Sequence, residues 1–169
     1  IYQGKNVDNI SSGKGTLIYP NGDKYEGDIV DNMPNGKGTL IYPNGDKYVG
    51  DFVDGYRTGF GILTLSTGDK YEGDFLNDMA SGKGTFTWTN GDKYIGEFVD
   101  GSRTGKGTFN WVSGNKYVGD FLDNMTNGKG ILTFPNGYKY EGEFVDNNRS
   151  GFAIVTLPNG DKYLSLIHI

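Results

Sequence analysis

Residues 69–93 decide the fold: Asp69-Lys70-Tyr71-Glu72-Gly73-Asp74-Phe75-Leu76, then Asn77-Asp78-Met79-Ala80, then Ser81-Gly82-Lys83-Gly84-Thr85-Phe86-Thr87-Trp88, closed by Thr89-Asn90-Gly91-Asp92-Lys93. The first segment alternates with period two. Tyr71, Gly73 and Phe75 share one face of an extended strand, and Lys70, Glu72 and Asp74 share the other. The third segment does the same, with Gly82, Gly84, Phe86 and Trp88 on one face and Lys83, Thr85 and Thr87 opposite, in the Thr- and aromatic-rich composition that suits strands. Gly interrupts every helical stripe, so the stretch reads as two strands.

This unit is written seven times. Tyr recurs at 2, 25, 48, 71, 94, 117, 140 and 163, every 23 residues, and the seven units start at Tyr2, Tyr25, Tyr48, Tyr71, Tyr94, Tyr117 and Tyr140. The repeat also accounts for the composition. Of 169 residues 29 are Gly, and all but Gly55 and Gly101 fall in four columns, at two, eleven, thirteen and twenty residues after the Tyr. No residual segment is left for a second domain within residues 1–163.

Face parity sets an expectation for the turns. Opposed residues in an antiparallel pair point to the same side, so a two-residue Asn-Gly loop would split the aromatic columns between faces. Pro43-Asn44-Gly45 and its copies therefore suit a three-residue connection, a type I turn with Gly in the left-handed position. Asp31-Asn32-Met33-Pro34 is then expected to be a four-residue loop. In this register the glycines two and thirteen residues after Tyr oppose one another, and the Phe four residues after Tyr opposes the Gly at eleven. Interior-strand Gly costs ~0.5–1 kcal/mol relative to Ala, so a line of paired glycines needs a reason, and a crease is the usual one. The fold class is all-β: an elongated single-layer antiparallel meander of about seven 23-residue hairpins, creased along the glycine columns, with about fourteen strands spanning ~67 Å at ~4.8 Å each.

The motifs Tyr-Glu-Gly-Asp-Phe, Gly-Lys-Gly-Thr and Asn-Gly-Asp-Lys, at period 23 from Tyr2 to Tyr163, resemble the MORN (membrane occupation and recognition nexus) repeat. The resemblance implies a meander of hairpins serving as scaffold, protein-binding or phosphoinositide-associated module, often beside a separate catalytic domain.

Charge and residue content narrow the function. A net charge of −5 argues against nucleic acid. There is no Cys and one His, and no Asp-rich loop has calcium spacing, so neither catalysis, a cofactor nor a metal is expected. Asp28, Asp51, Asp74, Glu97, Asp120 and Glu143 form a column on the outer face, where the column Lys24 to Lys162 supplies countercharges, and read as a solvated ion ladder. A lipid-facing patch along Lys14, Lys37, Lys83, Lys106 and Lys129 is interrupted by Phe60 and Phe152, and anionic membrane lipid is the alternative ligand. These readings favour a cytoplasmic or peripheral-membrane location.

Candidate partner-binding residues lie in a longer period of 46. Met33, Met79 and Met125 occur eight residues after Tyr in alternate units, and Arg57, Arg103 and Arg149 occur nine after Tyr in the units between. They are expected to line one ribbon edge as a periodic docking site, since Met and Arg are enriched at interfaces. A second candidate is the aromatic column Tyr19, Tyr42, Trp88, Trp111 and Phe134, with Trp88 and Trp111 as its most favourable adjacent pair.

The ends depart from the pattern. The first unit has Lys5 and Asn6 where others carry an acid and an apolar residue, and the last has Ala153 for Gly; capping is one reading, truncation of a larger protein with an enzyme domain the other. Leu164-Ser165-Leu166-Ile167-His168-Ile169 replaces the expected motif and is read as a non-native read-through tail, so His168 carries no functional weight. Open sheet edges make end-to-end self-association an expectation as well.

Overall fold

A computed structural model describes residues 2–7 and 10–167, with side chains described for 12–166; His168 lies outside the described residues. Among the described residues the strands are β1 (Tyr2–Val7), β2 (Ile10–Ile18), β3 (Lys24–Val30), β4 (Met33–Ile41), β5 (Lys47–Val53), β6 (Tyr56–Thr64), β7 (Lys70–Leu76), β8 (Met79–Thr87), β9 (Lys93–Val99), β10 (Ser102–Asn110), β11 (Lys116–Leu122), β12 (Met125–Thr133), β13 (Lys139–Val145), β14 (Asn148–Thr156) and β15 (Lys162–Ile167). They form one antiparallel sheet in chain order, without helix. The tail residues Leu164 to Ile167 pair with β14 as part of β15. The chain divides into two compact units, residues 1–84 and 85–169.

In the first unit the connection between β4 and β5 is the expected three-residue turn. The Gly45 N–H donates to Tyr42 O at 3.0 Å, the Tyr42 N–H donates to Asp46 O at 2.9 Å, and Gly45 has φ +93°. The other connection is not the four-residue loop expected from parity. It is a two-residue turn, Asp31-Asn32 or Asp54-Gly55, with φ of +49° and +68° or +49° and +87°. Both central residues are left-handed, as type I′ geometry requires, and Asp, Asn and Gly tolerate this best. The two remaining residues form a bulge: Gly27 opposes Gly38, but Ile29 opposes Pro34. Two is an even number, so faces are preserved, and parity alone does not separate a four-residue loop from a two-residue turn plus bulge. The bulge also corrects the pairing of Phe with the Gly eleven residues after Tyr. Within a repeat Phe52 faces Arg57; the Phe–Gly pairing is made between successive repeats, as in Gly36 with Phe52.

The glycine line is present. Gly27 faces Gly38, Gly38 faces Gly50 and Gly50 faces Gly61. Its cause is the Tyr that lies across it. The Tyr25 hydroxyl donates to Asp28 O at 2.7 Å, and that of Tyr48 to Asp51 O at 3.0 Å, which holds each ring flat over the glycines. A Cβ on Gly27 would fall 2.5 Å from the Gly38 Cα and from the Tyr25 Oη. Tyr25 and Tyr48 are fully buried, and Phe52 sits between them edge-on, at ring distances of 5.0 and 5.1 Å. Such edge-to-face pairs add ~0.5–1.5 kcal/mol each beyond area burial.

The second unit repeats the scheme. Gly96, Gly107, Gly119, Gly130 and Gly142 face one another in turn, and Ala153 takes the last place. Tyr94, Tyr117 and Tyr140 are buried, with Phe121 between the first two at 4.9 and 5.2 Å.

Candidate partner-binding groove

The face carrying the Tyr and Phe columns is open in the first unit. A groove of about 730 Å³ is lined by Tyr19, Tyr42, Leu40, Pro34 and Arg57, with Met33 and Tyr56 at its turn edge and Asp23, Asp54 and Asp78 supplying charge. Each wall follows from the hairpin chemistry. Tyr19 and Tyr42 are the residues that open the three-residue turns, while Pro34 and Arg57 follow the two-residue turns on the other side of the same face. Tyr19 and Tyr42 are half-buried. Burial raises the Tyr42 phenol above its ordinary value, opposed by Arg57 and reinforced by Asp78, Asp23 and Asp46; burial and Asp23 raise Tyr19.

Arg57 is a structural clamp as well as a wall. Its backbone N–H and Nε both donate to Asp78 Oδ1, at 2.9 and 3.1 Å, and Nη2 donates to the Asp78 carbonyl at 2.5 Å. The guanidinium lies 5.5 and 5.4 Å from the centres of the Tyr48 and Phe75 rings. Asp78 is the second residue of a left-handed turn, φ +68°, and its N–H donates back to Arg57 O. The turn that follows differs with the residue it meets: the Arg57, Arg103 and Thr126 N–H groups donate to the Asp78, Asn124 and Asn147 side chains, whereas Pro34 has no N–H to donate and accepts from the Gly55 N–H at 2.9 Å.

In the second unit Arg103 clamps Asn124 in the same way, with Nη2 to Asn124 O at 2.6 Å, and its guanidinium lies 5.3 Å from the Trp88 ring. Burial lowers the Arg103 guanidinium below its ordinary value. Trp88 and Trp111 are half-buried, each packed against Phe109 at 5.1 and 4.5 Å. Arg149 is exposed, with its guanidinium 5.5 Å from the Tyr140 ring.

The Met and Arg residues do not form the uniform edge expected of them. Met33 opposes Val30 and Met125 opposes Leu122, whereas Arg57 opposes Phe52 on the aromatic side. Met33 and Arg57 do meet at the groove; Met79 is exposed and Met125 half-buried. An ion ladder is present on the opposite face, but the countercharges of Asp28, Asp51 and Asp120 come from the column of Lys14, Lys37 and Lys106. They do not come from the expected column Lys24 to Lys162, of which Lys24, Lys70 and Lys139 pair instead with Glu26, Glu72 and Glu141. Lys14 meets Asp28 and Lys37 meets Asp51, both at 2.7 Å, and Lys106 pairs with Asp120. Exposed pairs of this kind contribute little stability, but they neutralise much of the Lys column.

That same outer face holds a feature which the ladder reading did not register. In the second unit a 680 Å³ concavity is lined by Ile95, Val118, Ile131 and Phe152, with Lys106, Lys129, Glu141 and Glu143 around them. The signal lay in the column after Tyr, where Val49, Ile95 and Val118 alternate irregularly with Glu26, Glu72 and Glu141.

Comparisons with known proteins agree with this architecture. The chain is similar to the TCP domain of SAS-4 (dCPAP) from Drosophila melanogaster, solved in complex with a proline-rich motif of Ana2 (dSTIL), at 17% identity and TM-score 0.61, covering 98% of this chain and 90% of that one. It is similar also to the TCP10c domain of Drosophila melanogaster Sas-4, at 17% identity and TM-score 0.55, covering 99% of this chain and 100% of that one. At such identity the likeness is one of fold. Comparison with curated proteins finds no match. The MORN repeat model matches residues 2–24, 25–47, 48–70, 71–93, 94–116, 117–137 and 140–162, nearly end to end, so the chain belongs to the MORN repeat family.

Proposed function

We propose that this chain is a non-enzymatic repeat scaffold whose aromatic groove holds a segment of a protein partner. The observation that carries the reading is the open groove between Tyr19, Tyr42 and Arg57, whose walls are set by rigid hairpins rather than by long loops. Apolar, aromatic-lined concavities with a few charged groups are the usual form of a ligand site. The complex of the fold relative SAS-4 with a proline-rich motif of Ana2 supports a peptide as the occupant.

The membrane reading is the weaker one, because Lys14, Lys37 and Lys106 are engaged by carboxylates on the neighbouring strand. A random-peptide display selection against the full chain tests the proposal, with phosphatidylcholine vesicles carrying phosphoinositide as the other arm, where each free Lys is expected to add ~1 kcal/mol at the anionic surface. Selected peptides are expected to lose at least ~10-fold in affinity, about 1.4 kcal/mol, on Tyr42→Ala. Vesicle binding that salt abolishes, together with no peptide sensitive to Tyr42, overturns it.

A further inference from the structure

We infer that the groove of the first unit accepts a polyproline II segment, one turn of that helix per hairpin repeat, with a basic side chain directed at its carboxylates. The inference rests on the groove reading above and specifies its occupant.

The argument begins with pitch. Tyr19 and Tyr42 hold equivalent places in successive repeats, two strands apart, so their rings recur every ~9.6 Å across the sheet at ~4.8 Å per strand. A polyproline II helix advances ~3.1 Å per residue with three residues per turn, and so presents the same face every ~9.3 Å. Other backbones fit less well. A β-strand returns to one face every ~6.8 Å, and an α-helix after seven residues at ~10.5 Å. Of the three periods, that of polyproline II comes nearest to the spacing of the tyrosines.

Hydrogen bonding agrees. A polyproline II backbone makes no internal hydrogen bonds and needs outside donors for its carbonyls. Among the described residues the hydroxyls of Tyr19 and Tyr42 make no hydrogen bond, whereas those of Tyr25 and Tyr48 are spent on Asp28 O and Asp51 O. Two ring faces with two free donors form the aromatic groove by which proline-rich ligands are recognised generally.

Charge supplies the remaining specificity. The groove is lined by Asp23, Asp54 and Asp78 against Arg57 alone, and Arg57 is held by Asp78 at 3.1 Å. Asp23 and Asp54 receive only neutral amide donors, from Asn21 at 2.8 Å and Asn35 at 3.1 Å. Their charge is left for a Lys or Arg of the ligand.

The test uses the full chain and fluorescein-labelled peptides in anisotropy titrations: a Pro-Ala-Arg repeat of four triplets, a composition-matched peptide with irregular proline spacing, and a Pro-Ala-Glu repeat. The three-periodic basic peptide is expected to bind at least ~10-fold tighter than the scrambled one, and Tyr42→Ala to erase that difference. Asp23→Asn with Asp54→Asn should reduce the preference for Arg over Glu while leaving the preference for spacing. Amide shift changes on titration should centre on Tyr19 and Tyr42, which also verifies that the variants remain folded. Equal binding of regular and scrambled peptides, or shifts centred on Ile131 and Phe152, overturns the inference. A proline-free peptide that depends on Tyr42 would overturn it too while sustaining the groove reading; no Tyr42-dependent peptide of any kind sinks both.

Discussion

Replacing Gly27 by Ala places one methyl group where the crease has no room. Its Cβ would lie 2.5 Å from the Gly38 Cα, the Lys37 carbonyl oxygen and the Tyr25 hydroxyl, and two of those three are backbone atoms that no rotamer change can move. Overpacking of this kind costs ~1–3 kcal/mol. Displacing the Tyr25 hydroxyl from Asp28 O forfeits ~1 kcal/mol more, and Ala returns ~0.5–1 kcal/mol through the strand backbone. The net expectation is a loss of about 1–3.5 kcal/mol, a fall of about 0.5–1.8 M in urea midpoint at a slope of ~2 kcal/mol/M.

Gly38→Ala is the informative partner. The three atoms nearest its Cβ all belong to the Tyr25 side chain rather than to backbone, and the chain already contains that exchange, since Ala153 occupies the same column opposite Gly142. There the ring has given way: a Cβ on Gly142 would stand 2.9 Å from the Tyr140 hydroxyl, against 2.5 Å for Gly27 and Tyr25, and Tyr140 still donates to Glu143 O at 3.0 Å. Gly38→Ala should therefore cost clearly less than Gly27→Ala. Urea denaturation followed by Tyr25 environment, through side-chain NMR, reads both. A Gly27→Ala protein as stable as the parent, or an inverted order between the two, would refute the explanation of the glycine columns.

Arg57→Ala should lower stability by ~1–3 kcal/mol, because it removes a charge-assisted bond to Asp78 and a cation from two rings, and Arg57→Lys should recover little, since an ammonium lacks the planar fork; chemical denaturation measures both. Tyr25, Tyr48, Tyr94 and Tyr117 are pushed up to about 12 chiefly by burial, so they stay neutral in the fold while an unfolded chain ionises near pH 10. Their stabilisation is complete below about pH 10 and is lost as pH rises toward 12, so circular dichroism should show cooperative alkaline unfolding with phenolate absorbance appearing in the same step. The Asp46 carboxyl is held below its ordinary value, first by the Ser66 N–H at 2.7 Å and then by Asn44. Its contribution is present above the ordinary Asp range and lost as pH falls through the depressed value. A side-chain NMR titration should place its midpoint below the ordinary Asp value of ~3.9, and a midpoint at or above that value would remove this staple between successive turns.

Fourteen of the fifteen described strands, the face assignment, the three-residue turn and the glycine line are legible in the spacing of Tyr, Gly and Phe, because period-two alternation and a strict repeat leave a hairpin meander little alternative; the fifteenth, Lys162–Ile167, runs into the tail that breaks the repeat. The two-residue turn was not legible from parity, although Asp54-Gly55 is a strong type I′ signal taken alone. The role of Arg57 was hidden for a different reason. Its partner Asp78 lies 21 residues away, and only the stacking of successive hairpins brings the two together.

Sequence alone therefore determined the repeat, its period, its strand faces and its family, since these depend on local alternation and on which residues recur. Tertiary structure decided what stands beside each aromatic pair, all four rings being half-buried. Tyr19 and Tyr42 border a groove, while Trp88 and Trp111 lie against Phe109. Exposure depends on what neighbouring repeats place beside a ring, and a column of equivalent positions carries no record of that until the hairpins are stacked.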